Sequence, residues 1–381
     1  MADNCPDNGV HFMTSSKFFK VNKYNLISTL CLLMGYHISY GQTSKKQLAD
    51  YLTWTSAKVE DAQYSIWGSS PIVGDDGKIH VFAARWPEKN VHPAWRETSE
   101  IAHYIADNPE GPFEFSDVAV SGTGMDGDWD KFAPHNPEIK KIGDHYAIVY
   151  VANDDYTMPP HPANQKIGLV YSKSLYGPWK KAGDHGMIIQ PSSVEGHWTY
   201  GSQLGVDNPC LIDLNGKPLI YFKARIDDEK GEIKAKYAYA LADHISGPYE
   251  MSEPITDNDS YLEDATAFTS GEDYYLLTTD NFGIVTGVVG GGILWSSKNW
   301  DQFDVDDSVL GYDLIPRYFK DYDESKVSKI YGRYPKFERP KVLLQNGKPT
   351  YLFAPSGWNI EGGDRTVCHI LKIDENFWSE G

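Results

Sequence analysis

Cysteine is scarce in this chain, with four residues in 381, at positions 5, 31, 210 and 368. No Cys/His spacing matches a zinc site, and Cys210 and Cys368 are expected to be buried and unpaired rather than bridged. Basic residues are outnumbered, 35 Lys and Arg against 53 Asp and Glu, for a net charge of −18. That balance denies the chain the basic patch that DNA, RNA or an anionic membrane would need, and it disfavours strongly acidic polymers as substrates. Long apolar runs are also missing. The run at 26–36 is too short to span a bilayer, and no other stretch comes closer. The glycines of 283–292 lack a following Lys-Ser/Thr and lie where no helix is expected, so they are not read as a phosphate cradle.

What is present begins with a targeting pattern. Lys17, Lys20 and Lys23 precede the apolar run, and Ser39-Tyr40-Gly41-Gln42 follows it. A charged region, a short apolar region and a small-residue exit read as a signal peptide, with residues 1–12 as an upstream extension. The expected organisation is therefore 1–42 as signal peptide and upstream residues, 43–60 as a lead-in with a helical turn around 46–52, and 61–381 as one domain. Export would make the protein secreted or periplasmic.

The rest of the chain is a hairpin repeated five times. Its copies open at Ser69-Ser70-Pro71, His135-Asn136-Pro137, Asp207-Asn208-Pro209, Glu263-Asp264-Ala265 and Glu338-Arg339-Pro340, at spacings of 66, 72, 56 and 75 residues. Each copy meets a turn such as Asn215-Gly216 or Asn346-Gly347, then a β-rich run such as Leu219-Ile220-Tyr221-Phe222. In the first three copies a third strand follows, then Gly111-Pro112-Phe113, Gly177-Pro178-Trp179 or Gly247-Pro248-Tyr249, then room for a fourth strand. The fourth copy offers Gly292-Ile293-Leu294-Trp295 and Trp300 instead. This periodicity predicts an all-β fold, a five-bladed β-propeller with four-stranded antiparallel blades. The long polar stretches 121–134, 154–165, 190–205 and 304–337 exceed hairpin loops and are expected to shape a binding face. The 25 Tyr and 11 Trp are mostly blade packing, leaving a few near the axis for sugar stacking.

Aligning the copies on their shared Pro gives two columns. The first is Ser69, His135, Asp207, Glu263 and Glu338, and the second is Ser70, Asn136, Asn208, Asp264 and Arg339. Three carboxylates and a histidine in one column should converge on the propeller axis, where crowding raises the pKa of at least one acid. A protonated acid beside an ionised carboxylate is the equipment for glycosidic-bond cleavage. The same residues at a turn also cap backbone donors, and the oxygens could hold a structural calcium or sodium ion near the axis.

Trp67-Gly68-Ser69-Ser70, Phe82-Ala83-Ala84-Arg85-Trp86-Pro87, His135-Asn136-Pro137, Gly177-Pro178-Trp179, Glu263-Asp264 and Glu338-Arg339-Pro340 occur in the order and spacing of a known group. The chain resembles the five-bladed propeller glycosidases around glycoside hydrolase family 43. The resemblance implies a general acid at Glu263 and a pKa-tuning partner at Asp207. It departs on the first blade, where Ser69 and Ser70 stand in place of the family's base. Glu338, on the neighbouring blade of a closed ring, would then supply the base or nucleophile, with Asp61 a weaker substitute. His135, Asn136, Asp264, Arg339 and Arg85 would bind sugar hydroxyls or a sugar carboxylate, with Trp67 as a stacking surface. No cofactor is implied. The expected activity is a secreted exo-acting glycoside hydrolase on plant or algal oligosaccharides. The alternatives are a carbohydrate-binding propeller without catalysis, and a lyase or phosphorylase on the same fold, for which the sequence shows no phosphate cluster.

Overall fold

The computed structural model describes residues 45–87, 95–157, 164–183, 185–202, 204–227, 233–256, 262–328 and 335–379. The signal-peptide expectation lies outside these residues. Five antiparallel sheets follow one another along the chain. Their inner strands are Tyr64–Val73, Phe132–Ile142, Val206–Leu214, Leu262–Ser270 and Lys341–Gln345. Each of these contacts the inner strand of the next sheet, and the last contacts the first, so the sheets close into a ring of five blades.

Turn chemistry fixes the hairpins. In four blades the first and second strands are joined by two residues, at 143–144, 215–216, 271–272 and 346–347. Gly143, Asn215, Gly216, Gly271, Asn346 and Gly347 there all have positive φ, as tight hairpins of this hand require. Gly111-Pro112, Gly177-Pro178 and Gly247-Pro248 carry the chain from third to fourth strand through cis peptide bonds. In the second blade two short strands, Lys180–Lys181 and Met187–Ile189, share the outer position. In the fourth the outer strand is Ser308–Tyr312, beyond Trp300. Cys210 and Cys368 are buried and free.

One boundary differs from the sequence expectation. Residues 48–51 form a 3-10 turn, but Leu52–Val59 is no lead-in. It pairs antiparallel with Val367–Ile373 as the outer strand of the fifth blade. The last blade is thus built from both ends of the propeller, which is how the ring is latched. The pairing partner lies some three hundred residues away, so no local pattern announces it.

The two ends of the axis differ chemically. Past the bulges described below, Ile72, Ile139, Ile212, Phe268 and Val342, one from each inner strand, line an apolar depression of about 240 Å³. Between the two ends the channel is plugged by a buried ion pair, in which Lys341 of the fifth blade donates to Glu138 of the second. Thr266 of the fourth blade also donates to Glu138, at 3.3 Å.

Candidate active site

The same irregularity occurs at the start of every inner strand. Between Trp67 and Ser70, His135 and Glu138, Asp207 and Cys210, and Glu263 and Thr266, the inner strand advances three residues while its partner advances two. The fifth blade repeats it, since the Glu338 N–H reaches the Pro355 carbonyl and Lys341 pairs with Phe353. These are β-bulges, and the residue inside each takes a left-handed conformation: Gly68, Asn136, Asn208, Asp264 and Arg339, with φ between 49° and 67°. The bulge aims the preceding side chain of each blade at one end of the axis.

The bulges correct the sequence alignment on the first blade. The residue equivalent to His135, Asp207, Glu263 and Glu338 is Trp67, and the equivalent of Asn136 is Gly68. Ser69 takes the place of the shared proline. Ser70 lies one layer deeper, where its hydroxyl accepts from the Ile139 N–H at 3.1 Å. The two serines are framework. The ring of side chains is therefore Trp67, His135, Asp207, Glu263 and Glu338.

The three carboxylates of this ring are linked by cations that the sequence reading did not single out. Lys223, directly opposite Asp207 on the second strand of the third blade, is 1% exposed. Its ammonium lies 3.0 Å from Glu263 Oε1 and 3.5 Å from Asp207 Oδ1. Asn281 donates to the other Glu263 oxygen at 2.8 Å and accepts from Lys336 at 3.1 Å. Lys336 in turn pairs with Glu338 at 2.6 Å. Asp280 holds the loop that presents Asn281, because its carboxylate accepts from the N–H groups of Ile284, Val285 and Thr286. Below, Arg339 ion-pairs with Asp264 at 2.9 Å and hydrogen-bonds Asn208, tying the fifth blade to the fourth and third.

These contacts set the protonation order. Burial pushes the Glu263 carboxyl up, but Lys223, Arg339 and the Asn281 hydrogen bond outweigh it and hold the group well below the usual carboxylate range. For Asp207 burial wins: its carboxyl is raised, with the Glu263 charge adding to the rise and Lys223 and Arg339 opposing it. Glu263 is thus the ionised member of the pair, and Asp207 keeps a proton longer. Among the described residues Asn136 Oδ1 and Asn208 Nδ2 are buried without a hydrogen-bond partner, and Asp207 Oδ1 has only the long 3.5 Å contact to the Lys223 ammonium. Such atoms are costly unless a ligand or water satisfies them.

The remaining sequence candidates fall on either side of this cluster. His135 packs against Trp95 and Trp86 at 4.7 and 5.7 Å between ring centroids, and its Nδ1 is 2.9 Å from the Ser99 hydroxyl. Trp67 shares a buried cluster with Ala84, Trp86 and Trp95, so the first blade offers an aromatic wall rather than an acid. Arg85 points to the opposite face of its strand. It pairs with Glu100 at 2.8 Å, lies 3.6 Å from Asp61, and is sandwiched between Tyr64 and Phe115. Arg85 and Asp61 therefore belong to the outer framework of blade one. Among the described residues no group of three or more His, Cys, Asp or Glu is placed to hold a metal ion. The axial carboxylates offered to calcium or sodium by the sequence are paired instead with Lys223, Lys336 and Arg339.

No protein-family model matches the chain, and no curated protein does. Solved structures share its fold. Zg3597, a family 117 glycoside hydrolase produced by the marine bacterium Zobellia galactanivorans, matches with a TM-score of 0.61 at 17% identity, over 88% of this chain and 96% of that one. A family 43 β-xylosidase/α-arabinofuranosidase from a compost microbial metagenome, in complex with xylotriose, matches with a TM-score of 0.55 at 14% identity, over 84% of this chain and 94% of that one. A family 43 enzyme from Xanthomonas citri matches with a TM-score of 0.54 at 12% identity, over 85% and 92%. The five-bladed architecture expected from the hairpin repeat is the one these glycoside hydrolases share.

Proposed function

We propose that the chain is a glycoside hydrolase whose reacting groups are Asp207 and Glu263. The observation that carries this reading is one buried ammonium, Lys223, set between two carboxylates whose affinities for a proton are pushed in opposite directions. Cleavage of a glycosidic bond needs one carboxyl that gives a proton to the leaving oxygen and one carboxylate that attacks or activates water. Asp207 fits the donor and Glu263 the ionised partner, whereas the family resemblance implied Glu263 as the acid, Asp207 as its pKa-tuning partner and Glu338 as the base or nucleophile. Glu338 acts as a positioning residue, holding Lys336 and through it the Asn281 amide that fixes Glu263.

The substrate class follows from the surroundings. Unsatisfied amide atoms beside the pair suit sugar hydroxyls, and the Trp67–Trp86–Trp95 wall with His135 suits the apolar face of a sugar ring. The Glu138–Lys341 plug makes the site blind-ended, which favours a chain end over the middle of a polymer. The reading is an exo-acting enzyme on plant or algal oligosaccharides, exported by the segment at 1–42. The oligosaccharide in one family 43 neighbour and the marine source of the family 117 neighbour support that class.

The test is a panel of aryl glycosides and plant and algal oligosaccharides, with Asp207→Asn and Glu263→Gln alongside the native chain. Release of sugar by the native protein and its loss in both variants is expected. A folded native protein that releases sugar from none of them contradicts the proposal. The ring position of the first blade carries Trp67-Gly68 in place of a carboxylate, which favours a second reading as a carbohydrate-binding propeller. Glycan binding by calorimetry without turnover, unchanged in Glu263→Gln, would select it.

A further inference from the structure

Two histidines that the proposed chemistry does not use are buried in the joint between the first and second blades. His80 and His103 sit diagonally on adjacent strands of blade one, and neither side chain is exposed to solvent. His80 Nδ1 and His103 Nε2 face each other at 2.8 Å. The outer nitrogens each meet a carboxylate: His80 Nε2 lies 3.1 Å from Asp76 Oδ1, and His103 Nδ1 lies 3.2 Å from Asp117 Oδ2. The four groups form one row, Asp76–His80–His103–Asp117. We propose that this row is a proton-sharing chain, in which the two imidazoles take up a single extra proton as one unit.

Each of the three contacts in the row is a hydrogen bond only when it holds one proton. Two neutral imidazoles bring two. In the neutral state one contact is therefore unmade: a carboxylate faces a ring lone pair at one end, or the two rings face each other lone pair to lone pair across the 2.8 Å gap. A third proton completes all three contacts, and the charge of the row goes from −2 to −1. Because the incoming proton is shared across the 2.8 Å gap, neither ring can titrate without the other. The gap also argues against a metal ion between the rings. Tetrahedral zinc with Zn–N of about 2.0–2.1 Å would hold two ring nitrogens roughly 3.3 Å apart.

The surroundings are built for the row. A Cβ on Gly74 would meet Asp76 Oδ1 and come within 2.6 Å of His80 Nε2, so only glycine fits there. Phe82 stacks on His103 at 4.4 Å and 7°. From the second blade, Tyr176 sets its ring edge-on to both imidazoles and donates to Asp76 at 3.1 Å. Ser116 donates to Asp117 at 2.8 Å. The cation acting on Asp76 and Tyr176 is Lys78, itself 3.3 Å from Asp107. Burial pushes His103 below the ordinary imidazole range against the pull of Asp117. Burial pushes Asp76 up, yet hydrogen bonds from His80 and the Lys78 N–H hold it below its ordinary value. Proton uptake is therefore expected in acid. Unfolded, His103 binds its proton more readily in that window, so stability should fall as pH falls through it.

The experiment is long-range ¹H–¹⁵N spectroscopy of full-length, ¹⁵N-histidine-labelled protein titrated with acid, using His80→Gln and His103→Gln for assignment. Both rings should move in one step with one midpoint, and removing either should shift the midpoint of the other by about one pH unit or more. Asp117→Asn, at a half-exposed end, keeps the test valid if the glutamine variants do not fold. It should move the His80 and His103 midpoints together and by the same amount. Two separate midpoints, with only His103 responding to Asp117→Asn, would overturn the proposal.

Discussion

At the scale of single residues, Lys223 decides how the candidate site is charged. Lys223→Met takes the nearer cation from two buried carboxylates and leaves them only the more distant charge of Arg339. Breaking such a pair costs about 3–5 kcal/mol at neutral pH, and urea unfolding should show it. In the native chain Glu263 lies below its ordinary value of 4.5, so its contribution is present above that pH and is lost as pH falls further. In Lys223→Met the largest opposition to burial is lost and only Arg339 and Asn281 still lower Glu263, so less stability remains to be lost in acid. The deficit should therefore narrow on acidification, and a deficit independent of pH would show that Lys223 acts through packing alone. The same charges set the pH–rate profile. With the roles proposed above, turnover needs Glu263 ionised and Asp207 protonated, so the rate should hold into acid and fall as pH rises through the raised Asp207 value. Asp207→Asn should lose roughly 10²–10⁴-fold on poor leaving groups and less on activated aryl ones. An equal loss on both would remove Asp207 as the donor. Asp207, Glu263 and Glu338 were legible in the sequence because the repeat aligns them. Lys223, Asn281 and Lys336 were not, because a lysine inside the apolar run Leu219-Ile220-Tyr221-Phe222-Lys223 reveals its facing only once the strand's register is known.

At the scale of the strand, the β-bulge is the device that makes the ring. The copies with His-Asn-Pro or Asp-Asn-Pro were readable because proline marks the position after the bulged residue. On the first blade Ser69 stands there, and Pro71, two residues on, drew the alignment with it. Only hydrogen-bond pairing distinguishes the two registers. The five left-handed residues give a test. Gly68 has φ 54°, and a Cβ there would meet nothing nearer than 3.6 Å, so space is available and conformation is the constraint. Gly68→Asn, the residue used by blades two and three, should fold with stability near that of the native chain. Gly68→Val forces a β-branched residue into a region it avoids, at about 1–3 kcal/mol. Thermal melts of the two variants should separate accordingly, and coincident melts would show that the first bulge is not held in this conformation.

At the scale of the whole molecule, the ring has to be closed and its axis filled. Glu138 and Lys341 do the second from opposite sides of the channel, and they come from inner-strand positions that a repeat alignment treats as ordinary blade core. The first task falls to Leu52–Val59, which the sequence offers no means of pairing with a strand near the other end of the chain. Leu48 and Leu52 are buried against Leu371, Ile373, Tyr312 and Ile315, and Trp54 packs on Phe319 and His369. Burying a large apolar side chain is worth about 1.5–3 kcal/mol, so losing three removes on the order of 5 kcal/mol. That is comparable to the whole stability of many domains, about 5–15 kcal/mol. The cut would also bare the Val367–Ile373 edge, which invites pairing with other chains. A chain beginning at residue 61 should therefore unfold at a much lower temperature than one beginning at residue 45, or aggregate. A peptide spanning 45–60, added in excess, should dock on the bared edge by strand addition and raise that midpoint. Equal melting of the two shortened chains would mean that the ring stays closed through its inner strands alone, and that the latch on the fifth blade adds nothing measurable to the fold.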